Sequence, residues 1–88
     1  MYKLQYSNHF LRMSKKLSEE YVLQFEEKVE IFRQNPKSAS LRVHALTGKM
    51  KGYFSFSVNY SIRAIFRKTS KDTVLFTSIG PHSAVYRE

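Results

Sequence analysis

Residues 53–79 read YFSFSVNYSIRAIFRKTSKDTVLFTSI. Apolar and polar side chains alternate along most of this stretch, which is typical of β-strands with one buried face. Short polar segments near Asn59 and at Thr69–Asp72 interrupt the alternation. Connections this short predict antiparallel neighbours, because a parallel pair needs a long crossover. We therefore predict three strands of one sheet, at about 53–59, 61–68 and 73–79.

The N-terminal third predicts one more strand and two helices. Residues 2–6 alternate, as a strand does. A helix capped by Ser7 or by the residue after it follows, to about Leu17. Ser18 is the expected N-cap of a second helix to about Gln34, where an Asn-Pro pair ends it because the residue before proline avoids the α region.

The period changes back to two at Leu41, so that Leu41, Val43 and Ala45 oppose Arg42 and His44. The order β-α-α-β-β-β predicts an α+β fold. In it, two N-terminal helices pack on one face of a mostly antiparallel four-stranded sheet, and the other face stays open. We expect the first strand at an edge or beside the last strand. Residues 1–88 are expected to form a single domain.

Composition narrows the function classes. The 88 residues have a net charge of +8 and contain no cysteine, which excludes disulfides and thiolate metal sites. No apolar run approaches the roughly 18–20 residues that span a bilayer, and the N-terminus lacks an apolar signal core. We expect a cytoplasmic protein without a membrane partner.

Charge is distributed unevenly along the chain. Between Arg42 and Arg87 there are eight Lys/Arg and one acid, Asp72, with His44 and His82 near the two ends. Such a surface suits a polyanion better than a divalent metal. Without clustered carboxylates we predict no metal and no cofactor.

Metal-free cleavage of RNA needs a base for the 2′-hydroxyl, cations at the scissile phosphate and an acid for the leaving 5′-oxygen. Imidazoles titrate near neutrality, and tyrosines stack on unpaired bases. For His44 an uninvolved strand histidine stays an open alternative, as does simple solvation for the two loop lysines. The candidates are His44 and His82 for proton transfer, Lys49, Lys51, Arg63 and Arg67 for phosphate, and Tyr53, Tyr60 and Tyr86 for stacking.

Three segments carry a resemblance to a known family: HALTGKMKGY at 44–53, YSIRAIF at 60–66 and IGPHSAVY at 79–86. In this order, and in a chain of this size, they resemble the RelE/ParE superfamily of bacterial type II toxin–antitoxin modules, with the YafQ- and RelE-like mRNA interferases most similar. The resemblance implies a metal-independent, ribosome-dependent endoribonuclease. It would cleave mRNA in the 30S A site by 2′-hydroxyl in-line attack, and a cognate antitoxin would neutralise it in a hetero-oligomer.

The resemblance also implies residue roles. His44 matches a histidine before the L-x-G motif of YafQ-like toxins, and His82 matches the histidine of their G-x-H motif. Arg63 matches the strand arginine of RelE-like proteins, and Tyr86 matches a C-terminal aromatic that stacks on a base. The basic loop residues Lys49 and Lys51 match loosely.

In one place the chain departs from the YafQ-like pattern. Ser57 and Ser61 stand where that pattern has a second histidine and an aspartate. The departure leaves His82 with Arg63 as the main candidates, and the general base is either His44 or a lysine.

Three other functions stay open from the sequence. A ParE-like DNA gyrase inhibitor would share the fold and the strand arginine without needing the histidines. A noncatalytic nucleic-acid-binding module would bind in a salt-sensitive way and cleave nothing. A toxin inactivated by the serine replacements is the third.

Overall fold

A computed structural model describes residues 2–86. The predicted single domain, residues 1–88, also includes Met1, Arg87 and Glu88, which lie outside the described residues. The described residues form five strands and three helices. In chain order these are β1 (Lys3–Tyr6), α1 (Asn8–Ser14), α2 (Glu19–Gln34), β2 (His44–Ala45), β3 (Phe54–Ser57), β4 (Ile62–Lys68), β5 (Thr73–Pro81) and α3 (His82–Val85).

Both long helices begin at the predicted N-caps. The hydroxyl oxygen of Ser7 accepts a hydrogen bond of 3.0 Å from the backbone N–H of Phe10. That of Ser18 accepts one of 3.2 Å from Tyr21. Each bond satisfies a backbone donor that the first turn of a helix leaves without a partner. α1 ends earlier than predicted, at Ser14, whereas α2 ends at its predicted residue.

The sheet has five strands in the order β1-β5-β4-β3-β2, so the prediction of four strands is wrong. The pairs β2–β3, β3–β4 and β4–β5 are antiparallel, as predicted from the short connections. β1 lies beside β5 in a parallel pair, with Lys3 opposite Thr73. A parallel pair needs a long connection between its strands. The chain between β1 and β5 is long enough and includes α1 and α2.

The alternating pattern that begins at Leu41 forms strand only at its end, where His44–Ala45 make β2, the fifth strand of the sheet. Ala39–Leu41 form a 3₁₀ turn, and Arg42 has φ of 50°, in the left-handed region. A residue in that region interrupts extended backbone, so pairing begins only at His44. Leu41 is fully buried from within the turn, in the same core as the helices.

Phenylalanine rings fill the layer between α1, α2 and the sheet. Phe32 of α2 lies 4.9 Å from Phe66 and 5.6 Å from Phe56, measured between ring centroids. Edge and tilted contacts of this kind are favourable beyond the area they bury. The buried phenylalanines of the described residues are Phe10, Phe25, Phe32, Phe56, Phe66 and Phe76.

The second face of the sheet is not fully open, which corrects the prediction. α3 turns back onto it and contacts β4 and β5. Val85 of α3 is 3% exposed, and Ile65 at the centre of this face is completely buried. Because strand alternation places Ile65 away from the helices α1 and α2, another apolar group has to cover it. None of the helices between residues 2 and 86 is long and apolar enough to cross a membrane.

Candidate functional site

The α3 side of the sheet has a central row of four residues on four neighbouring strands. His44 pairs with Ser55, Ser55 with Ile65, and Ile65 with Ser78. Residues directly opposite each other across strands present their side chains to the same face. Ser55 and Ile65 are completely buried, whereas His44 at the edge is exposed.

A bulge in β5 brings the end of the chain to this face. Ile65 pairs with Ser78 but the next residue, Phe66, pairs with Phe76, so Thr77 is an extra residue. An extra residue shifts the alternation of side chains between the two faces. Phe76 therefore lies in the core under the helices, while Ser78 shares a face with Ile65.

Tyr86 is anchored at the centre of this face. Its hydroxyl donates a hydrogen bond of 2.7 Å to Oγ of the buried Ser55. The ring of His82 lies 4.3 Å from the Tyr86 ring, centroid to centroid, at an interplanar angle of 58°. The Tyr86 backbone N–H also donates to the His82 carbonyl, at 3.2 Å. His82 is exposed and Tyr86 half-buried, so one imidazole is fixed against an anchored phenol and still faces solvent.

The second imidazole approaches from the edge of the sheet. His44 is the cross-strand partner of Ser55, the residue that holds Tyr86. Its Nδ1 lies 3.4 Å from the carbonyl oxygen of Arg42. A carbonyl only accepts, so this contact as a hydrogen bond requires the proton on Nδ1 and leaves Nε2 as the basic nitrogen. Both histidines thus border the Tyr86–Ser55 pair.

Arg63 lies in the next row of the same face. It pairs with Ser57 on one side and Gly80 on the other. Its Nη1 donates to the carbonyl oxygen of Asn59 at 2.8 Å and lies 3.2 Å from that of Tyr60. One nitrogen of Arg63 thus supports the β3–β4 turn. Within residues 2–86, Nε and Nη2 have no hydrogen-bond partner and can receive an anion.

The remaining candidates surround the two histidines. Arg67 lies two residues beyond Ile65 on β4, one row from His44 as Arg63 is, but on the side away from Pro81 and the start of α3. Lys49 lies in a 3₁₀ turn, Gly48–Met50, and Lys51 directly after it; both are exposed. Tyr53 precedes β3 and lines a small cleft against Val85 of α3. These residues lie around the group formed by His44, Ser55, His82 and Tyr86 and are not part of it.

Ser55 is the functional residue that sequence reasoning missed. Strand alternation placed it correctly on the face opposite Phe54 and Phe56, but nothing nearby in sequence marks it as a partner for Tyr86. The available signal was the small side chain in the middle of an aromatic strand, which leaves room for a ring above it. Among residues 2–86, no three His, Asp or Glu side chains come together as a metal site would require.

Comparison with known proteins finds similarity in structure and not in sequence. No protein-family model matches the chain, and no curated protein matches it. Solved structures do match along nearly the whole length. A crystal structure of YafQ from E. coli strain BL21(DE3) superposes with a TM-score of 0.81 at 19% identity, covering 98% of this chain and 99% of that one.

Two further structures extend the comparison. The toxin of the E. coli DinJ–YafQ toxin–antitoxin complex has a TM-score of 0.79 at 19% identity, with 97% of each chain covered. A YoeB/ParE toxin from Agrobacterium tumefaciens has a TM-score of 0.74 at 17% identity, covering 91% of this chain and 98% of that one. The chain therefore has the fold of the YafQ and YoeB/ParE toxins, as the resemblance in sequence implied for its architecture.

Proposed function

We propose that this protein is the toxin of a type II toxin–antitoxin module and acts as an endoribonuclease that cleaves mRNA. The observation that carries the proposal is the placement of two imidazoles beside one partly buried hydrogen bond. His44 and His82 border the Tyr86–Ser55 pair, and the partly unoccupied guanidinium of Arg63 lies one row away. These are the groups that cleavage by the neighbouring 2′-hydroxyl requires.

In the proposed reaction Nε2 of His44 takes the proton of the 2′-hydroxyl, and the 2′-oxygen attacks the adjacent phosphorus in line. Nε and Nη2 of Arg63 stabilise the charge that develops on the pentacoordinate phosphorus, with Lys51 as the loop cation that can approach it. His82 donates its proton to the departing 5′-oxygen. The products are a 2′,3′-cyclic phosphate and a 5′-hydroxyl. Proton transfers of this kind contribute about 10²–10⁴-fold each.

Tyr86 is proposed to touch the substrate as well. Its hydroxyl is held by Ser55 and one side of its ring faces His82, so the ring is presented as a fixed surface. A fixed aromatic ring stacks on a base at low entropic cost. Stacking on an unpaired base beside the scissile phosphate would hold the nucleotide in the geometry for attack.

The proposed substrate is mRNA in the ribosomal A site, and the proposed protein partner is a cognate antitoxin. One of the similar structures is a toxin–antitoxin complex. The net charge of +8 favours an acidic partner that is partly disordered when free and orders on binding. Both proposals place this protein in the cytoplasm.

A second candidate is a ParE-like inhibitor of DNA gyrase that performs no chemistry. The observation in its favour is that Arg63 has a structural role without the histidines. Its Nη1 donates to carbonyl oxygens of the β3–β4 turn, and neither histidine takes part in these bonds. One of the similar structures also carries the ParE name.

Growth arrest and transcript cleavage after induction test the proposal. His82→Ala is expected to abolish both, with an unchanged circular dichroism spectrum, because the imidazole is exposed and its loss creates no cavity. Ser83→Ala is the matched control, since it changes the next exposed position of the same short helix. Full toxicity of His82→Ala would contradict the proposed role. Loss of gyrase supercoiling activity with intact transcripts would favour the second candidate.

A further inference from the structure

A cleft of about 400 Å³ lies at the end of the sheet where the β3–β4 turn faces α2. Three cations line it: Lys28 from α2, Arg42 after the 3₁₀ turn and Arg63 from β4. Ser57 and the turn residue Tyr60 lie on its wall. We call these five residues the basic cleft. Apart from Arg63, its cations have no part in the proposed reaction.

Among residues 2–86, no carboxylate lines the basic cleft. The acids of α2 that the structure brings together, Glu26, Glu27 and Glu30, line a different surface with two apolar residues of that helix. Within residues 2–86 Arg33 forms an ion pair with Glu30, and neither residue belongs to the basic cleft. Three positive charges on one concave wall attract an anion, and a concave wall increases that attraction.

The donors of the basic cleft are only partly used. Lys28 Nζ makes one bond, to the Ser40 carbonyl oxygen at 3.3 Å. Arg63 uses Nη1 on the turn carbonyls. Within the described part of the chain the Arg42 guanidinium makes no hydrogen bond, although its backbone has φ of 50°, where side chains other than glycine are rarely found. Phosphate oxygens accept several such charge-assisted bonds at once.

An unusually exposed aromatic ring lies on the wall of the same cleft. Tyr60 is 96% exposed, at the tip of the β3–β4 turn. A tyrosine in that position contributes nothing to the core, but its ring can stack on a base that has no pairing partner. Cations beside an exposed ring are the combination that binds single-stranded nucleic acid.

We infer that the basic cleft is a second RNA-binding site, where Lys28 and Arg42 bind a backbone phosphate of single-stranded RNA and Tyr60 stacks on an adjoining base, with Arg63 at the border between the cleft and the proposed catalytic row. Arg63 belongs both to the cleft and to the row beside His44 and His82, so one strand can contact both sites. The inference rests on the proposed function for the identity of the strand as RNA. It assigns roles to Lys28, Arg42 and Tyr60 that the cleavage reaction does not need.

Binding of a 2′-O-methyl RNA hexanucleotide tests the inference, because this probe has no 2′-hydroxyl and cannot be cleaved. Its affinity for the full chain is measured by fluorescence anisotropy at several salt concentrations. Lys28→Gln with Arg42→Gln should weaken binding at least tenfold. The slope of log K against log salt should become shallower by about 0.7 for each phosphate that the variant no longer neutralises. Tyr60→Ala should weaken binding about fivefold or more while keeping the slope, since stacking releases no counterions.

Lys15→Gln with Lys71→Gln is the matched control: it removes the same charge from exposed positions of other surfaces and should leave the slope unchanged. Wild-type affinity and slope in the cleft variant would overturn the inference, as would equally weakened binding by the control. Tighter binding of a duplex DNA of equal length, with the same dependence on Lys28 and Arg42, would overturn the assignment to RNA.

Cleavage of transcripts by the same proteins separates the two proposals. If the wild type cleaves and the cleft variant binds and cleaves equally well, the second site is refuted and the nuclease stands. If the wild type binds the probe through Lys28 and Arg42 but cleaves no transcript, the nuclease is refuted and the second site stands.

Discussion

The hydroxyl of Tyr86 donates a 2.7 Å hydrogen bond to Oγ of Ser55, 31 residues earlier in the chain. Ser55 lies in an inner strand of the sheet and is completely buried. The bond therefore fixes the segment after β5 against the rigid centre of the sheet. The position of the His82 ring depends on the same hydrogen bond, because this ring packs against Tyr86.

Ser55→Ala tests this relationship. We expect a decrease of about 1 kcal/mol in the free energy of unfolding, since one hydrogen bond is removed and the Tyr86 hydroxyl can turn to water. We expect transcript cleavage to fall about tenfold to 100-fold, because a displacement of about 1 Å in a catalytic group costs about 100-fold. The fall should appear in kcat more than in KM.

Tyr86→Phe is the comparison for Ser55→Ala, because it removes the same hydrogen bond from the other side. If the phenol acts through Ser55, the double variant should be no slower than either single variant. Additive effects would show that the two hydroxyls act separately. Unchanged cleavage by Ser55→Ala would refute the positioning role.

Arg63→Lys separates the structural from the chemical role of the guanidinium. Lysine keeps the charge but has no planar fork, so it cannot support the turn carbonyls and face an anion at once. We expect the free energy of unfolding, measured by urea denaturation, to fall by about 1–3 kcal/mol. We expect the cleavage rate of the folded protein to fall by a larger factor than in the control variant. Arg12→Lys is the control, because Arg12 is exposed on α1 and makes no side-chain hydrogen bond within residues 2–86. Equal effects at both positions would contradict the assignment.

Phe32→Ala should be among the most damaging core substitutions. Its ring is 1% exposed and contacts Phe56, Phe66 and Phe76. Removing such a ring costs about 3–5 kcal/mol, a large part of the roughly 5–15 kcal/mol that stabilises a domain. Phe32→Leu provides a milder variant for measurement by chemical denaturation. Leu23→Ala in the same helix, at a position 58% exposed, should cost much less.

Tyr6 is expected to make stability fall at alkaline pH. Burial raises the pKa of its phenol above the usual value of 10; Arg33 opposes this shift and Glu26 adds to it. A raised pKa means that the folded protein holds the proton more tightly than the unfolded chain does. Stability from this group is therefore complete below pH 10 and is lost as the pH rises through the folded pKa.

Tyr6→Phe should consequently lose less stability than the wild type between neutral pH and about pH 11, as measured by thermal melting across that range. The quantity to compare is the difference in stability between the two proteins at each pH, because contributions common to both cancel in it. Tyr60→Phe is the control, because its ring is 96% exposed. Parallel curves for Tyr6→Phe and wild type would contradict the expectation.

Local patterns predicted much of this fold. Ser18 as the N-cap and the Asn-Pro pair after Gln34 were enough to place α2. The short turns of residues 53–79 predicted three antiparallel strands correctly. These features depend on neighbours in sequence, so a single sequence contains them.

The errors came from features without a local signature. Arginine is not a residue type expected at positive φ, so nothing in the sequence indicated the break at Arg42. The extra residue Thr77 depends on pairing across two strands. α3 has four residues, too few for a helical period to be recognised.

The site was predicted in part for the same reasons. His44, His82, Arg63 and Tyr86 were identified from residue type and from the resemblance, but their roles stay predictions. Ser55 was missed because its partner is far away in sequence. Interactions of that kind depend on the packing of the whole sheet and not on any segment of it.

The pairing of β1 with β5 has a consequence for the protein during its own synthesis. Lys3 pairs with Thr73, so β1 has no neighbouring strand until β5 has been synthesised. β5 also separates β1 from the remainder of the sheet, and α3 follows it directly. Contacts between segments so distant form late in folding. A nascent chain that has not yet produced residues 73–86 therefore lacks both a completed sheet and the helix carrying His82, so the proposed site assembles only after those residues have been made.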